Sequence, residues 1–163
     1  MGLIGFYIRM IDFTDIAEQI KKGIADEWQS QGHDLTGKFR EGMTYQIKNT
    51  ADSTFIFILD NTDSGYGKII NEGVRADQIK YPYARARIRG LTMYAKLRMG
   101  ASDKDAVSIA FAIATKHAKE GMPLPSSKRF SKTGNRTHFV EDAEKRFKKI
   151  IENSIAKQLE WQS

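Results

Sequence analysis

Two runs between Leu35 and Val74 carry the pattern of strands. Met43, Tyr45 and Ile47 alternate with Thr44, Gln46 and Lys48, the two-residue period of a strand with one buried face. The run Phe55-Ile56-Phe57-Ile58-Leu59 is unbroken and too short for a helix, which predicts a second strand covered on both faces. An antiparallel hairpin is the cheapest way to join them. The polar and small residues from Asp60 to Gly67, interrupted by Tyr66, then turn the chain into a short helical turn ending at Gly73. Gly65, Gly67 and Gly73 are expected at turn positions with positive φ.

The remaining apolar positions recur at helical spacing. Ile16, Ile20, Ile24 and Trp28 define one amphipathic helix, started by Asp12 or Thr14, with Glu18, Lys21, Lys22 and Asp26 on its other side. Pro82 suits the first turn of a helix over 83–98, whose apolar positions are Ile88, Leu91, Ala95 and Met99. Ser102, three residues before Asp105, opens an alanine-rich helix that stops at Gly121. A last helix begins near Thr137 or His138 and runs to about Trp161. Val140, Ala143, Phe147, Ile150, Ile151, Ile155 and Leu159 form its buried stripe, with Lys145, Arg146, Lys148 and Lys149 outside. The fold class is therefore α+β: a small antiparallel β-sheet packed by an N-terminal helix, two central helices and a long C-terminal helix.

At 163 residues the chain suits one domain. Residues 1–12 are expected to serve as an N-terminal arm or added edge strand, not a signal peptide, and 122–136 as a basic loop. With no cysteine, disulfides and thiolate metal sites are excluded. No apolar run approaches the roughly 20 residues that span a bilayer, so no membrane partner is expected.

Charge changes the picture more than composition does. The formal charge is +6, and Lys80, Arg85, Arg87, Arg89, Lys96 and Arg98 supply six cations in a stretch without an acid. Lys128, Arg129, Lys132 and Arg136 add a second basic run in the loop after Pro123. These residues, from Arg85 onward, are the candidate interface or phosphate contacts. Three uses are open for the arginine cluster: a solvated face with snorkelling stems, salt bridges to neighbouring proteins, or salt-dependent contact with nucleic-acid phosphate.

Catalytic and metal chemistry finds little support. His33, His117 and His138 lack ligand spacing; His117 is expected on a solvated helix edge and His138 at a helix start. The segment from Asp60 to Gly65 has the outline of a calcium loop, but its twelfth position is Asn71 where a bidentate Glu is needed. Gly65-Tyr66-Gly67-Lys68 fails the phosphate-loop spacing. No cofactor and no enzymatic activity are expected.

The hairpin is entered by Thr36-Gly37-Lys38-Phe39-Arg40 and left by a segment holding Tyr66, Ile70, Glu72 and Gly73. Towards the C-terminus an alanine-rich helix ends in Gly121-Met122, and a loop leads to Phe139 and Ala143. In order and spacing this resembles the tail-completion and head–tail joining (neck, minor tail) proteins of tailed bacteriophages, over about Thr14 to Leu159. The departures are the arginine-rich helix and the long basic loop. The resemblance implies a non-enzymatic virion structural protein, assembled in the host cytoplasm into an oligomeric ring at the portal–tail interface. Its partners would be copies of itself, portal or adaptor proteins and tail proteins, with possible non-specific contact with DNA. The alternative is a basic nucleic-acid-binding accessory protein. On the ring reading, deleting 124–136 is expected to leave a folded monomer that fails to assemble.

Overall fold

The computed structural model describes residues 12–62 and 66–160, the side chains of 158 and 159 excepted. Residues 1–11 of the expected arm, Gly65 and the Leu159 side chain thus lie outside the described residues. Helix α1 (Thr14–Ser30) is followed by a one-turn helix α2 (Lys38–Gly42), the hairpin β1 (Met43–Asn49) and β2 (Thr54–Asp60), and α3 (Tyr66–Glu72). Then come α4 (Arg85–Met99), α5 (Asp103–Glu120) and α6 (Phe139–Glu160). The α+β class is as the periodicity predicts, with α2 as an additional element. No helix among the described residues is long and apolar enough to cross a membrane.

The elements start and stop for identifiable reasons. Asp12 Oδ1 accepts the Thr14 N–H at 2.9 Å ahead of α1. Ser102 Oγ accepts the Asp105 N–H at 3.2 Å, capping α5 as its sequence predicts. Gly73 adopts φ +72 after α3, as expected. Gly67 does not fulfil a positive-φ role. It is buried inside α3, where a Cβ would lie 2.5 Å from the Phe39 ring and 2.8 Å from Asp60 Oδ2. The position requires closeness, not an unusual backbone.

Helices α1 and α6 run antiparallel: Trp28 meets Phe139 at 5.1 Å, while Gly23, a turn earlier in α1, faces Phe147 further along α6. Trp28 is the hub. It stacks on Phe39 at 4.0 Å, and Phe139 meets both rings edge-on, which suits the aromatic quadrupole. Ile24, Ala25, Met43 and Ala143 complete this core. Helices α4 and α5 form a second packed pair. Ala95 on α4 and Ala106, Ala110 and Ala114 on α5 are all fully buried, which lets the two backbones approach.

Two expectations about burial are corrected. The hairpin is a two-stranded sheet with Tyr45↔Ile58 and Ile47↔Ile56 on the inner face. Its outer face carries Phe55, 49% exposed, and Phe57, 43% exposed, so β2 is covered on one side only. Helix α1 packs on the other side, and a hydrophobic run by itself does not report what covers it. On α6, Ala143, Phe147, Ile151 and Ile155 keep the inward four-residue spacing, whereas Val140 and Ile150 fall on its flanks and are exposed.

The segment after Pro123 is built into the body. It contains a 3-10 segment, Pro125–Phe130, and Leu124 is buried. Lys132 N–H donates to Ser30 O at 2.8 Å, and Arg136 Nη1 donates to Gln31 O at 2.6 Å. Val74 and Met122 pair by two backbone hydrogen bonds, closing the α4–α5 excursion at its base. Deleting 124–136 would therefore remove core residues, and the folded monomer expected of that deletion does not follow.

Candidate functional site: a basic cleft

The cationic candidates do not form one surface. Arg85 and Arg89, one turn apart on α4, are exposed, as are Lys128, Arg129 and Lys132. Lys96 is held by Asp103 at 2.8 Å. Arg98 and Arg136 turn to the C-terminal end of α1, donating to Gly32 O and Gln31 O. Carbonyls at a helix C-terminus carry partial negative charge, so both guanidiniums close that end. Arg98 and Arg129 also lie over the Phe130 ring, at 5.6 and 4.7 Å. Arg136 is 9% exposed, which takes it out of any surface contact.

Arg87 points the other way from Arg85 and Arg89. Its Nη2 lies 3.1 Å from His117 Nδ1 and 3.4 Å from Met122 Sδ, while Nε is buried without an acceptor. A guanidinium can only donate, so His117 Nδ1 accepts and its proton sits on Nε2. Burial, with Arg87 beside it, pushes the His117 imidazole down to about 4. This corrects the expected solvated edge: His117 is half-buried and neutral. His33 packs on Trp28 at 4.8 Å, and burial, reinforced by Arg136 and Arg98, pushes it down to about 3. His138 sits exposed at the start of α6 as expected, with φ +59.

Arg87 opens onto a cleft of about 1020 Å³ between the α4–α5 pair and the body formed by α1, α2 and α3. Leu91 from α4, Ile109 and Ile113 from α5, and Phe39 and Ile70 from the body give it apolar walls. Lys38, Arg87, Lys116, Arg129 and Arg136 are the charged bases among its lining residues. Asp34 is the single carboxylate there among the described residues, and Arg40 already holds it at 3.3 Å. Lys38 and Lys116 were not among the sequence candidates, since nothing in the chain order relates α2 to α5.

No group of three His, Cys, Asp or Glu side chains that could hold a metal exists among the described residues. Asp60, the first position of the calcium-like segment, spends both oxygens on its own turn. Oδ1 accepts from Thr62 N–H at 2.9 Å and Oδ2 from Gly67 N–H at 3.0 Å.

Sequence reasoning also passed over a buried polar cluster. Glu27 is 1% exposed, and Arg146 Nη1 lies 2.7 Å from its Oε2 without hydrogen-bond alignment. Gln31, fully buried, donates to Glu27 Oε1 at 3.2 Å and to Asp142 Oδ2 at 3.3 Å. The available signal was spacing: Glu27 follows Ile24 by three residues, on the same stripe. No protein-family model, no curated protein and no solved structure matches this chain.

Proposed function

We propose that this chain is a non-enzymatic structural component of a tailed-phage virion, a neck or tail-completion protein that assembles into a ring at the head–tail interface. The observation that carries the assembly reading is the hairpin. No other strand pairs with β1 or β2 among the described residues, and the outer face presents Phe55 and Phe57, stacked on each other at 6.3 Å. Open edges with apolar side chains beside them favour pairing with another chain. Joining the β1 edge of one copy to the β2 edge of the next uses two different surfaces, a heterologous contact that closes into a ring when the rotation permits. The order of the hairpin-flanking motifs supports the virion setting, and portal, adaptor and tail proteins would be its further partners.

Native mass spectrometry and negative-stain electron microscopy test the assembly. The wild-type chain is expected to give one closed multimer. The double variant Phe55→Ser/Phe57→Ser is expected to stay folded and monomeric, because substitutions at such exposed sites shift stability by only about 0.5 kcal/mol. A wild-type chain that remains monomeric at high micromolar concentration would overturn the reading.

The nucleic-acid alternative has a narrower basis. Arg85 and Arg89 are exposed and have no carboxylate partner among the described residues, and the same holds for Lys128 and Lys132. But Phe130, beside the second group, packs on Tyr94 and Arg98. Five residues of helix separate Arg89 from Tyr94 and nine separate it from Arg98, about 8 and 14 Å at 1.5 Å per residue. They make two small patches, not one track for a phosphate backbone.

A further inference from the structure

We propose that the cleft between the α4–α5 pair and the body is a docking groove for an acidic amphipathic helix of another protein. The inference goes beyond ring assembly, which uses the hairpin on a different part of the chain.

Charge is the first argument. Lys38, Arg87, Lys116 and Arg129 line the cleft beside the buried Arg136, against one carboxylate among the described residues, which is already paired. The second is the state of Arg87. A guanidinium ordinarily binds a carboxylate through two parallel hydrogen bonds. Here, among the described residues, its Nη2 meets a neutral imidazole and a thioether and no carboxylate. A carboxylate entering the cleft would give the accessible side of this guanidinium the anionic partner it lacks.

Size and lining then select the class of ligand. At about 1020 Å³ the cleft lies at the upper limit of small-molecule pockets. Leu91, Ile70, Ile109 and Ile113 remain half-buried along it, with Ile69 and Met93 exposed at its mouth. Such walls bury aliphatic side chains, and the aromatic rings of the lining are engaged with each other: Trp28 stacks on Phe39, Tyr66 meets Trp28 edge-on and Tyr94 meets Phe130 edge-on. A strand docking by its backbone would need an open edge, yet α3, α4 and α5 form the walls. A helix satisfies its own backbone and can present an apolar face to the groove and carboxylates to its cationic rim.

The test uses the full chain and a labelled synthetic helix of about 18 residues, roughly five turns, with leucines on one face and glutamates elsewhere. Its controls are a scrambled peptide of the same composition and a version with lysine in place of glutamate. Fluorescence anisotropy near physiological salt is expected to show saturable micromolar binding of the acidic amphipathic peptide alone. Arg87→Gln should weaken it about tenfold, as loss of a charge-assisted pair does. Arg85→Gln, exposed on the far side of α4, should leave it within about twofold. Arg129→Gln, an exposed cleft residue, should weaken it about threefold, keeping the test readable should Arg87→Gln fail to fold. Absence of saturable binding, equal binding of the scrambled peptide, or equal losses in Arg85→Gln and Arg87→Gln would overturn the proposal. So would full displacement by short duplex DNA, which would assign the cleft to nucleic acid. Native masses of the same samples separate this outcome from any failure of ring assembly.

Discussion

His33 and His117 tie the stability of the protein to pH. Each is held neutral by burial, with folded values of about 3 and 4 against an ordinary 6.5. A depressed folded value contributes stability that is complete above pH 6.5 and is lost as pH falls towards the folded value. In that window the unfolded chain binds protons that the folded chain refuses. The loss is at most about 1.4 kcal/mol per pH unit for each histidine, and smaller for His117, whose ring is more open to solvent. Urea midpoints at about pH 7 and pH 5 should therefore differ, and His33→Gln should narrow the difference. An unchanged difference in that variant would show that other groups carry it. None of this was legible along the chain, where His33 shows only that it lacks ligand spacing to the other histidines.

Among elements, the α4–α5 pair carries the clearest structural commitment. Alanines at 106, 110 and 114 recur every four residues and are fully buried. A larger side chain at Ala110 has no space to enter, so Ala110→Leu is expected to cost about 1–3 kcal/mol by overpacking. The melting temperature should fall by about 2–4 °C for each kcal/mol in a chain of this size. Val107→Ser, at a position 45% exposed on the same helix, should change it little. If both variants melt alike, the alanine face is not a tight seam. The long helices, the Ser102 cap of α5 and the hairpin were readable because each follows from local spacing, whereas α1 and α4 start after Phe13 and Ala84 without a side-chain cap. Helix α2 was not, since five residues contain too little periodicity to register.

The molecule as a whole separates its positive charge into three uses. Arg98 and Arg136 close α1, Arg87 and Arg129 face the cleft, and Arg85, Arg89, Lys128 and Lys132 meet solvent in two patches. Binding to short duplex DNA should accordingly be weak. Two phosphates engaged by Arg85 and Arg89 would imply about a tenfold loss between roughly 50 and 200 mM salt. Arg85→Ala/Arg89→Ala should abolish that part, measured by anisotropy across a salt titration. Micromolar binding that persists at physiological salt and disappears in the variant would favour the nucleic-acid alternative over the ring.

Local covalent order was enough to determine the strands, the long helices, the capped start of α5, the stop at Gly121 and the net positive charge. These depend on side-chain period, backbone preference and composition, all properties of neighbours in the chain. Tertiary structure alone decided that Phe55 and Phe57 face outward, that Arg136 leaves the surface, and that Lys38 and Lys116 share a cleft with Arg87. Burial and electrostatic partnership depend on which distant segments meet, and that meeting is set by the packing of α1, α6 and the α4–α5 pair.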